Sequence, residues 1–257
     1  MKIEEYLSTL PASIMTGENV ELQDNILTEI LEFASLSKND IFCHLGCGNE
    51  RSLVIALEEF GVKKAIGVDN NNEKIVFAKK ALEAKNLSSW TLKCEDVLES
   101  DISEATVILF WFSDETIVER MTQKFSALKK DCRIITIWGP LPGCLPDKVE
   151  FPYILNVTPF KKSDDLKEQV IAIFGTDCID FVTAWEFAER YSRTISSKGV
   201  ENARFLTILQ TLVIWINAKN LGIACEDEIP PPIKSYMDIL KTYFDIEVEH
   251  LLNQNTL

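Results

Sequence analysis

Short apolar runs alternate with longer amphipathic stretches between residues 21 and 138, and this alternation restricts the fold more than any other feature of the sequence. Runs with the character of buried strands are DIFCHL, KAIGVD, SWTLKCED, ATVILFWF and CRIITIW. Apolar residues at helical spacing occur in ELQDNILTEILEFASL, RSLVIALEEFG, NEKIVFAKKALEAKNL and DETIVERMTQKFSALKK. Because strands joined by helices form right-handed crossovers, the pattern predicts an α/β fold with a parallel sheet covered on both faces.

The pattern changes after Trp138, where the loop GPLPGCLP cannot continue a helix. Two further strands are predicted in FPYILNVTPF and EQVIAIFG, which are close enough to pair as antiparallel neighbours. From about residue 177 to the end, the apolar spacing is helical throughout. We therefore predict a sheet domain over residues 1–175 and a helical extension over residues 176–257, which would serve a homodimer contact or substrate docking.

The chain is acidic, with a net charge of −14, and it has no basic arm or tail. Attraction to nucleic acid or to anionic lipid is therefore not expected, whereas a basic, lysine-rich protein partner fits such a surface. The N-terminus lacks an apolar signal core. The most apolar window, residues 205–217, is too short to span a bilayer and carries polar residues, so it predicts a buried helix or an oligomer contact.

The seven cysteines form no Cys-x-x-Cys pair, their number is odd, and the chain has only two histidines. Several of the cysteines lie within apolar runs, where a free thiol behaves as a small buried hydrophobic group. This pattern predicts free thiols in a reducing cytoplasm and no structural metal.

The first predicted strand ends in a sharp turn, IFCHLGCGNE, over residues 41–50. Gly46 and Gly48 allow a positive φ and let backbone N–H groups approach a ligand. Asp69 ends the second strand and Asp96 ends the third, so both belong to the same edge of a parallel sheet. An acid at the end of the second strand typically binds the ribose hydroxyls of an adenosine ligand. The alternative is a tight turn in which Asp69 only caps the next helix.

A dinucleotide site requires a third glycine in this turn, and that position is Arg51. No glycine run is followed by Gly-Lys-Ser/Thr, which excludes a P-loop.

The segments HLGCGNE, GVDNN and CEDVLE resemble the class I S-adenosylmethionine-dependent methyltransferases. More closely, NDIFCHLGCGNERSLVIAL, VKKAIGVDNNNEKI and DISEATVILFW resemble the archaeal protein-lysine methyltransferases, which are relatives of the Dot-type enzymes. The resemblance covers about residues 20–140. It implies a seven-stranded Rossmann-like sheet with its last two strands antiparallel, S-adenosyl-L-methionine as cofactor, and transfer of a methyl group to protein lysine.

The resemblance also implies the cofactor contacts. Asp69 would hold the ribose hydroxyls, Asp96 the adenine amino group, and Val97 would pack on the adenine. Gly46 and Gly48 would face the methionine and ribose parts. The full implied set is Thr16, His44, Gly46, Gly48, Asp69, Asn70, Asp96 and Val97.

The turn departs from the family pattern at two positions. His44 replaces the acid that positions the methionine ammonium; a neutral imidazole accepts a hydrogen bond, whereas a protonated one repels the ammonium. Glu50 replaces the third small residue; its charge suits a helix N-terminus but could repel the cofactor carboxylate. These departures leave open a catalytically degenerate binding or scaffold protein, and a turn-stabilising role for His44.

The fourth strand continues as Phe110-Trp111-Phe112-Ser113-Asp114, without the Asn/Asp-Pro-Pro-Tyr/Phe motif of enzymes that methylate planar amines. Trp111 and Phe112 suit an apolar slot for a lysine side chain, and the alternative for both is ordinary packing. Asp114 is predicted to cap the following helix. A small-molecule or RNA methyltransferase is the remaining alternative.

Overall fold

The structure is a computed structural model that describes residues 22–112, 114–195 and 203–253. Within these ranges, Leu22–Asp164 form one compact unit, and the residues from Asp165 onward belong to a second one. Thr16 lies outside the described residues.

The first unit contains a seven-stranded sheet in the order β3-β2-β1-β4-β5-β8-β7. The strands in chain order are β1 (Ile41–Leu45), β2 (Lys64–Asp69), β3 (Trp90–Cys94), β4 (Val107–Phe110), β5 (Arg133–Ile137), β6 (Cys144–Leu145), β7 (Lys148–Glu150), β8 (Tyr153–Val157) and β9 (Lys161–Lys162). The short strands β6 and β9 pair separately. The helices are α1 (Asp24–Phe33), α2 (Arg51–Glu58), α3 (Asn72–Ala84) and α4 (Glu115–Ser126).

The five predicted strands of the parallel part are confirmed, and so is the Rossmann-like fold class. β1 pairs in parallel with both β2 and β4, so that Leu45 stands beside Val68 on one side and beside Phe110 on the other. Because the chain runs outward from β1 through β2 to β3 and then returns to β4, strand order reverses between β1 and β4. Ligands of open α/β sheets bind at the carboxyl ends of the strands beside such a reversal.

Local sequence signals account for the helix starts around this edge. The Asn71 side chain accepts hydrogen bonds from Glu73 N and Lys74 N at the start of α3. The Asp114 carboxylate accepts one from Ile117 N at 2.9 Å, which confirms Asp114 as the cap of α4.

The predicted strand in EQVIAIFG is wrong. Helix α5 (Leu166–Phe174) occupies this segment, with Asp165 as its N-cap and Gly175 in the left-handed conformation at its end. Val170 and Ile173 are buried at helical spacing, and the cap residues were visible in the sequence. The sheet is completed instead by β7, which is too short and too polar to be recognised, and which pairs antiparallel with β8.

The second unit is helical, as predicted. It contains α5, α6 (Phe181–Ile195), α7 (Ala203–Asn220), α8 (Pro231–Phe244) and a 3₁₀ turn (Glu249–Asn253). Helices α6 and α7 pack against each other, and Trp215 of α7 is fully buried. Within the apolar window at 205–217, Leu209, Leu212 and Ile214 to Ile216 are buried, whereas Val213 is exposed. None of the described helices combines the length and apolar composition that crossing a bilayer requires.

Cys178 and Cys225 form a disulfide within the second unit, so the prediction of free thiols is wrong for this pair. A β-bridge between Ile179 and Ala224 brings the two cysteines together from positions 47 residues apart. Such a pairing has no local signal in the sequence. The other five cysteines are free, and all of them except Cys94 are buried.

Candidate functional site

The turn between β1 and α2 is built on glycines in the left-handed region. Gly46 has a φ of +74° and Gly48 a φ of +63°, which side chains rarely adopt. The N–H groups of Gly46 and Cys47 donate to the Val68 carbonyl at 2.8 and 3.0 Å. The turn is thereby fixed to the end of β2, directly before Asp69.

Asp69 is only 9% exposed, and its carboxylate is held from two sides. Gly48 N donates to Oδ2 at 2.8 Å and Asn71 N donates to Oδ1 at 2.9 Å. A carboxylate accepts about four hydrogen bonds, so each oxygen keeps capacity for a ligand donor. The structure therefore brings three predicted residues together, because Gly46, Gly48 and Asp69 form one hydrogen-bonded corner.

The space around the two glycines differs. A Cβ on Gly48 would meet no atom within 4 Å, whereas a Cβ on Gly46 would come within 2.9 Å of the Phe112 ring. The absence of a side chain at Gly46 thus leaves room for the Phe112 ring. The open side of the turn lies at Gly48, beside Asp69, where a ligand can approach the backbone.

The next strand end carries Asp96 and Val97. Asp96 is exposed, and its Oδ1 accepts a hydrogen bond from Leu98 N at 2.8 Å. Val97 is buried in the core of the sheet domain. Asn70, the remaining predicted residue of this edge, is exposed.

Lys124 of α4 supports this loop and was not predicted from the sequence. Its ammonium donates to the backbone carbonyls of Val97, Leu98 and Ser100 at distances between 2.5 and 3.3 Å. Burial lowers the pKa of Lys124, against the opposing effect of nearby carboxylates. No local signal separates this lysine from the surface lysines around it.

His44 lies at the end of β1 with its Nδ1 hydrogen-bonded to Ser52 Oγ at 2.7 Å. Burial lowers the pKa of His44 to about 4, although the charge of Asp69 acts in the opposite direction. The imidazole is therefore neutral near pH 7. Its bond to α2 is consistent with a turn-stabilising role, and the cationic form that would repel an ammonium is absent at that pH.

Glu50 stands at the N-cap of α2, but its side chain makes no cap hydrogen bond. Its Oε2 is buried and has no hydrogen-bond partner among the described residues. An unsatisfied buried carboxylate oxygen is unfavourable, so it marks a position where a donor is expected.

Aromatic side chains line the neighbouring strand ends. Phe112 stacks on Phe110 with ring centroids 4.9 Å apart, and both Trp111 and Phe112 are half-buried. Trp138 follows β5, which is paired in parallel with β4, and its ring meets Phe151 edge-on at 5.6 Å. Trp138 has a φ of +74°, and its N–H donates to the Pro152 carbonyl.

Trp138 was not singled out from the sequence, although an aromatic residue directly before Gly-Pro at a strand end is a visible signal. Its left-handed conformation is unusual for a bulky residue and is held by the neighbouring backbone. In the parts of the chain that the structure describes, no three metal-binding side chains cluster.

No protein-family model matches the chain. The chain is 32% identical over 132 residues to a curated protein from Saccharolobus islandicus named protein-lysine N-methyltransferase, and the match covers 51% of this chain and 81% of that relative. The structure of this chain is similar to that of an RNA methyltransferase from Salinibacter ruber in complex with S-adenosyl-L-homocysteine, with a TM-score of 0.52. The two chains are 20% identical, and the match covers 57% of this chain and 99% of the other. The second similarity supports the fold alone. From the identity and extent of the first, we conclude that the chain belongs to the protein-lysine N-methyltransferase family and is an S-adenosylmethionine-dependent methyltransferase.

Proposed function

We propose that this methyltransferase methylates the side-chain amine of a lysine in a protein substrate. The observation that carries the proposal is the match to a relative named protein-lysine N-methyltransferase, which covers most of that relative. The acidic chain, with its net charge of −14, suits a lysine-rich substrate.

We assign the cofactor to the corner formed by the glycine turn and Asp69. The open space at Gly48 and the two fixed oxygens of Asp69 fit an adenosine ribose, whose hydroxyls are donors. Asp96 would accept from the adenine amino group, and Val97 would pack on the ring. Thr16 and Asn70 remain predicted contacts of the same ligand.

When bound, S-adenosylmethionine supplies an electrophilic methyl group on a sulfonium leaving group. The task of the protein is then to position a neutral amine against that methyl group. Trp111, Phe112 and Trp138 stand at the ends of the paired strands β4 and β5, and the Phe112 ring lies against Gly46 of the turn. In our proposal these side chains cover the aliphatic part of the lysine. Such apolar surroundings disfavour the ammonium and lower the amine pKa, which provides the nucleophile.

The test is to label the acceptor. Purified protein is incubated with S-adenosylmethionine carrying a labelled methyl group and a cell lysate, and the products are treated with protease or nuclease. We expect the label to be released by protease and to be recovered as methyl-lysine after complete hydrolysis. Label that is removed by nuclease would identify RNA as the acceptor, and label only in small molecules would also contradict the proposal.

Two variants sharpen this test. Trp111→Ala should lower methyl transfer while the affinity for S-adenosylhomocysteine stays unchanged, because the residue faces the acceptor. Asp69→Ala should lower both. Absence of transfer in the wild-type protein, together with absence of cofactor binding, would indicate a binding or scaffold protein instead.

A further inference from the structure

The turn that begins α2 contains a carboxylate oxygen that the described residues leave unsatisfied. Oε2 of Glu50 is buried without a hydrogen-bond partner among them. Removing a carboxylate oxygen from water without a replacement donor is unfavourable. The neighbouring Arg51 directs its Nε to the exposed carboxylate of Asp24, at 2.7 Å.

Glu50 lies close to the corner that the glycine turn and Asp69 form. Glu50 follows Gly48 by two residues, so their Cα atoms are separated by less than about 7.6 Å, twice the spacing of successive Cα atoms. The side of the turn at Gly48 is open. A cationic group of a ligand lying along this turn is therefore within reach of the Glu50 side chain.

The residue in the usual place for an anion cannot supply the charge. His44 is a neutral base hydrogen-bonded to Ser52, and this bond orients its ring toward α2. A neutral imidazole contributes no negative charge to hold an ammonium group. The end of β1 therefore lacks the acid found in similar turns, whereas the start of α2 has an additional one.

We infer that Glu50 is the anionic anchor for the ammonium group of the cofactor's methionine part, in place of the acid missing at His44. The Oε2 atom accepts a hydrogen bond from the ammonium group. Because His44 is neutral, it neither pairs with the Glu50 carboxylate as a cation nor repels the ammonium. The same carboxylate repels the ligand's own carboxylate and so favours an orientation in which that group points away from Glu50. This inference rests on the proposed cofactor site.

The test compares ligands with and without the amino-acid part. The affinities of S-adenosylhomocysteine and 5′-methylthioadenosine are measured by calorimetry for the wild type and for Glu50→Gln. We expect Glu50→Gln to weaken S-adenosylhomocysteine binding by roughly 10- to 100-fold, the effect of losing a hydrogen bond between charged groups. The affinity for 5′-methylthioadenosine should not change.

Control variants separate this role from general effects. Glu58→Gln, at the exposed end of the same helix and 3.8 Å from Lys85, should change neither affinity. Adding His44→Asp to Glu50→Gln should restore much of the lost affinity, since it returns the anion to the end of β1. Thermal unfolding of each variant establishes that it is folded.

A ligand series on the wild-type protein gives an answer that does not depend on any variant folding. The analogue of S-adenosylhomocysteine that lacks only the amino group should bind no better than 5′-methylthioadenosine, and the analogue that lacks only the carboxylate should bind nearly as well as the parent. Equal losses for the two analogues, or an unchanged ligand preference in folded Glu50→Gln, would overturn the role of Glu50 while leaving the cofactor site intact. If the wild type binds none of these ligands, the cofactor site and the inference both fail.

Discussion

Two carboxylates flank the glycine turn, and the protein satisfies them differently. Asp69 at the end of β2 receives one backbone N–H on each oxygen, whereas Oε2 of Glu50 at the start of α2 receives none from the described residues. In our proposal, Asp69 belongs to the ribose end of the site, which the fold builds before a ligand arrives. Glu50 belongs to the methionine end, and there the ligand supplies the partner of the charge.

The largest expected effect is on ligand affinity when Asp69 is replaced. Asp69→Ala removes the acceptor of Gly48 N and Asn71 N and, in our proposal, of the ribose hydroxyls. We expect the binding free energy of both S-adenosylhomocysteine and 5′-methylthioadenosine to weaken by roughly 1–3 kcal/mol. Calorimetry measures it, with the exposed Asp164→Ala as control. Unchanged affinity for both ligands would place the ligand elsewhere. Weaker binding of only one of the two ligands would mean that Asp69 does not act on the ribose part that both share.

The second effect concerns His44, the neutral residue near the end of β1. His44 has a folded-state pKa of about 4, below the ordinary 6.5, so between these pH values the unfolded chain binds a proton that the folded protein does not. Stability is therefore full above pH 6.5 and falls as the pH drops toward 4. Between pH 7 and pH 5 this single group should cost about 2 kcal/mol of unfolding free energy.

Urea unfolding of the wild type and of His44→Asn at the two pH values measures this difference. The variant should lose less stability on acidification, because the other titrating groups are the same in both proteins. Equal losses would mean that His44 is already solvated in the folded protein. The cationic form would then have to be considered in the cofactor corner.

The smallest effect separates the two glycines of the turn. Alanine at either position is strained by the positive φ, at about 1–2 kcal/mol. At Gly46 the added methyl group also meets the Phe112 ring, whereas at Gly48 it meets open space. We expect Gly46→Ala to be the less stable of the two in thermal unfolding, and Gly48→Ala to lose more of its ligand affinity. The reverse order would contradict the assignment of the open side of the turn.

The parallel half of the sheet was predictable because each strand carries its own signal and each helix its own spacing. The corner residues were predictable because each follows or ends a strand with its own signal: Gly46 and Gly48 come directly after β1, and Asp69 ends β2. Lys124 and the disulfide between Cys178 and Cys225 were not, because both depend on segments distant in sequence that meet only after folding. The misread segment at 166–174 shows a further limit, since a short apolar run fits a strand or a helix unless its caps are weighed.

The three carbonyls that Lys124 binds have a mechanical consequence. They tie the loop after β3, where we propose that the purine binds, to the helix α4, whose first turn follows the aromatic residues after β4. A displacement of that helix on substrate docking would move the loop at Asp96 with it. Binding of the acceptor and binding of the nucleoside would then be coupled through the Lys124 side chain. Cooperativity between the two substrates would then need no moving lid.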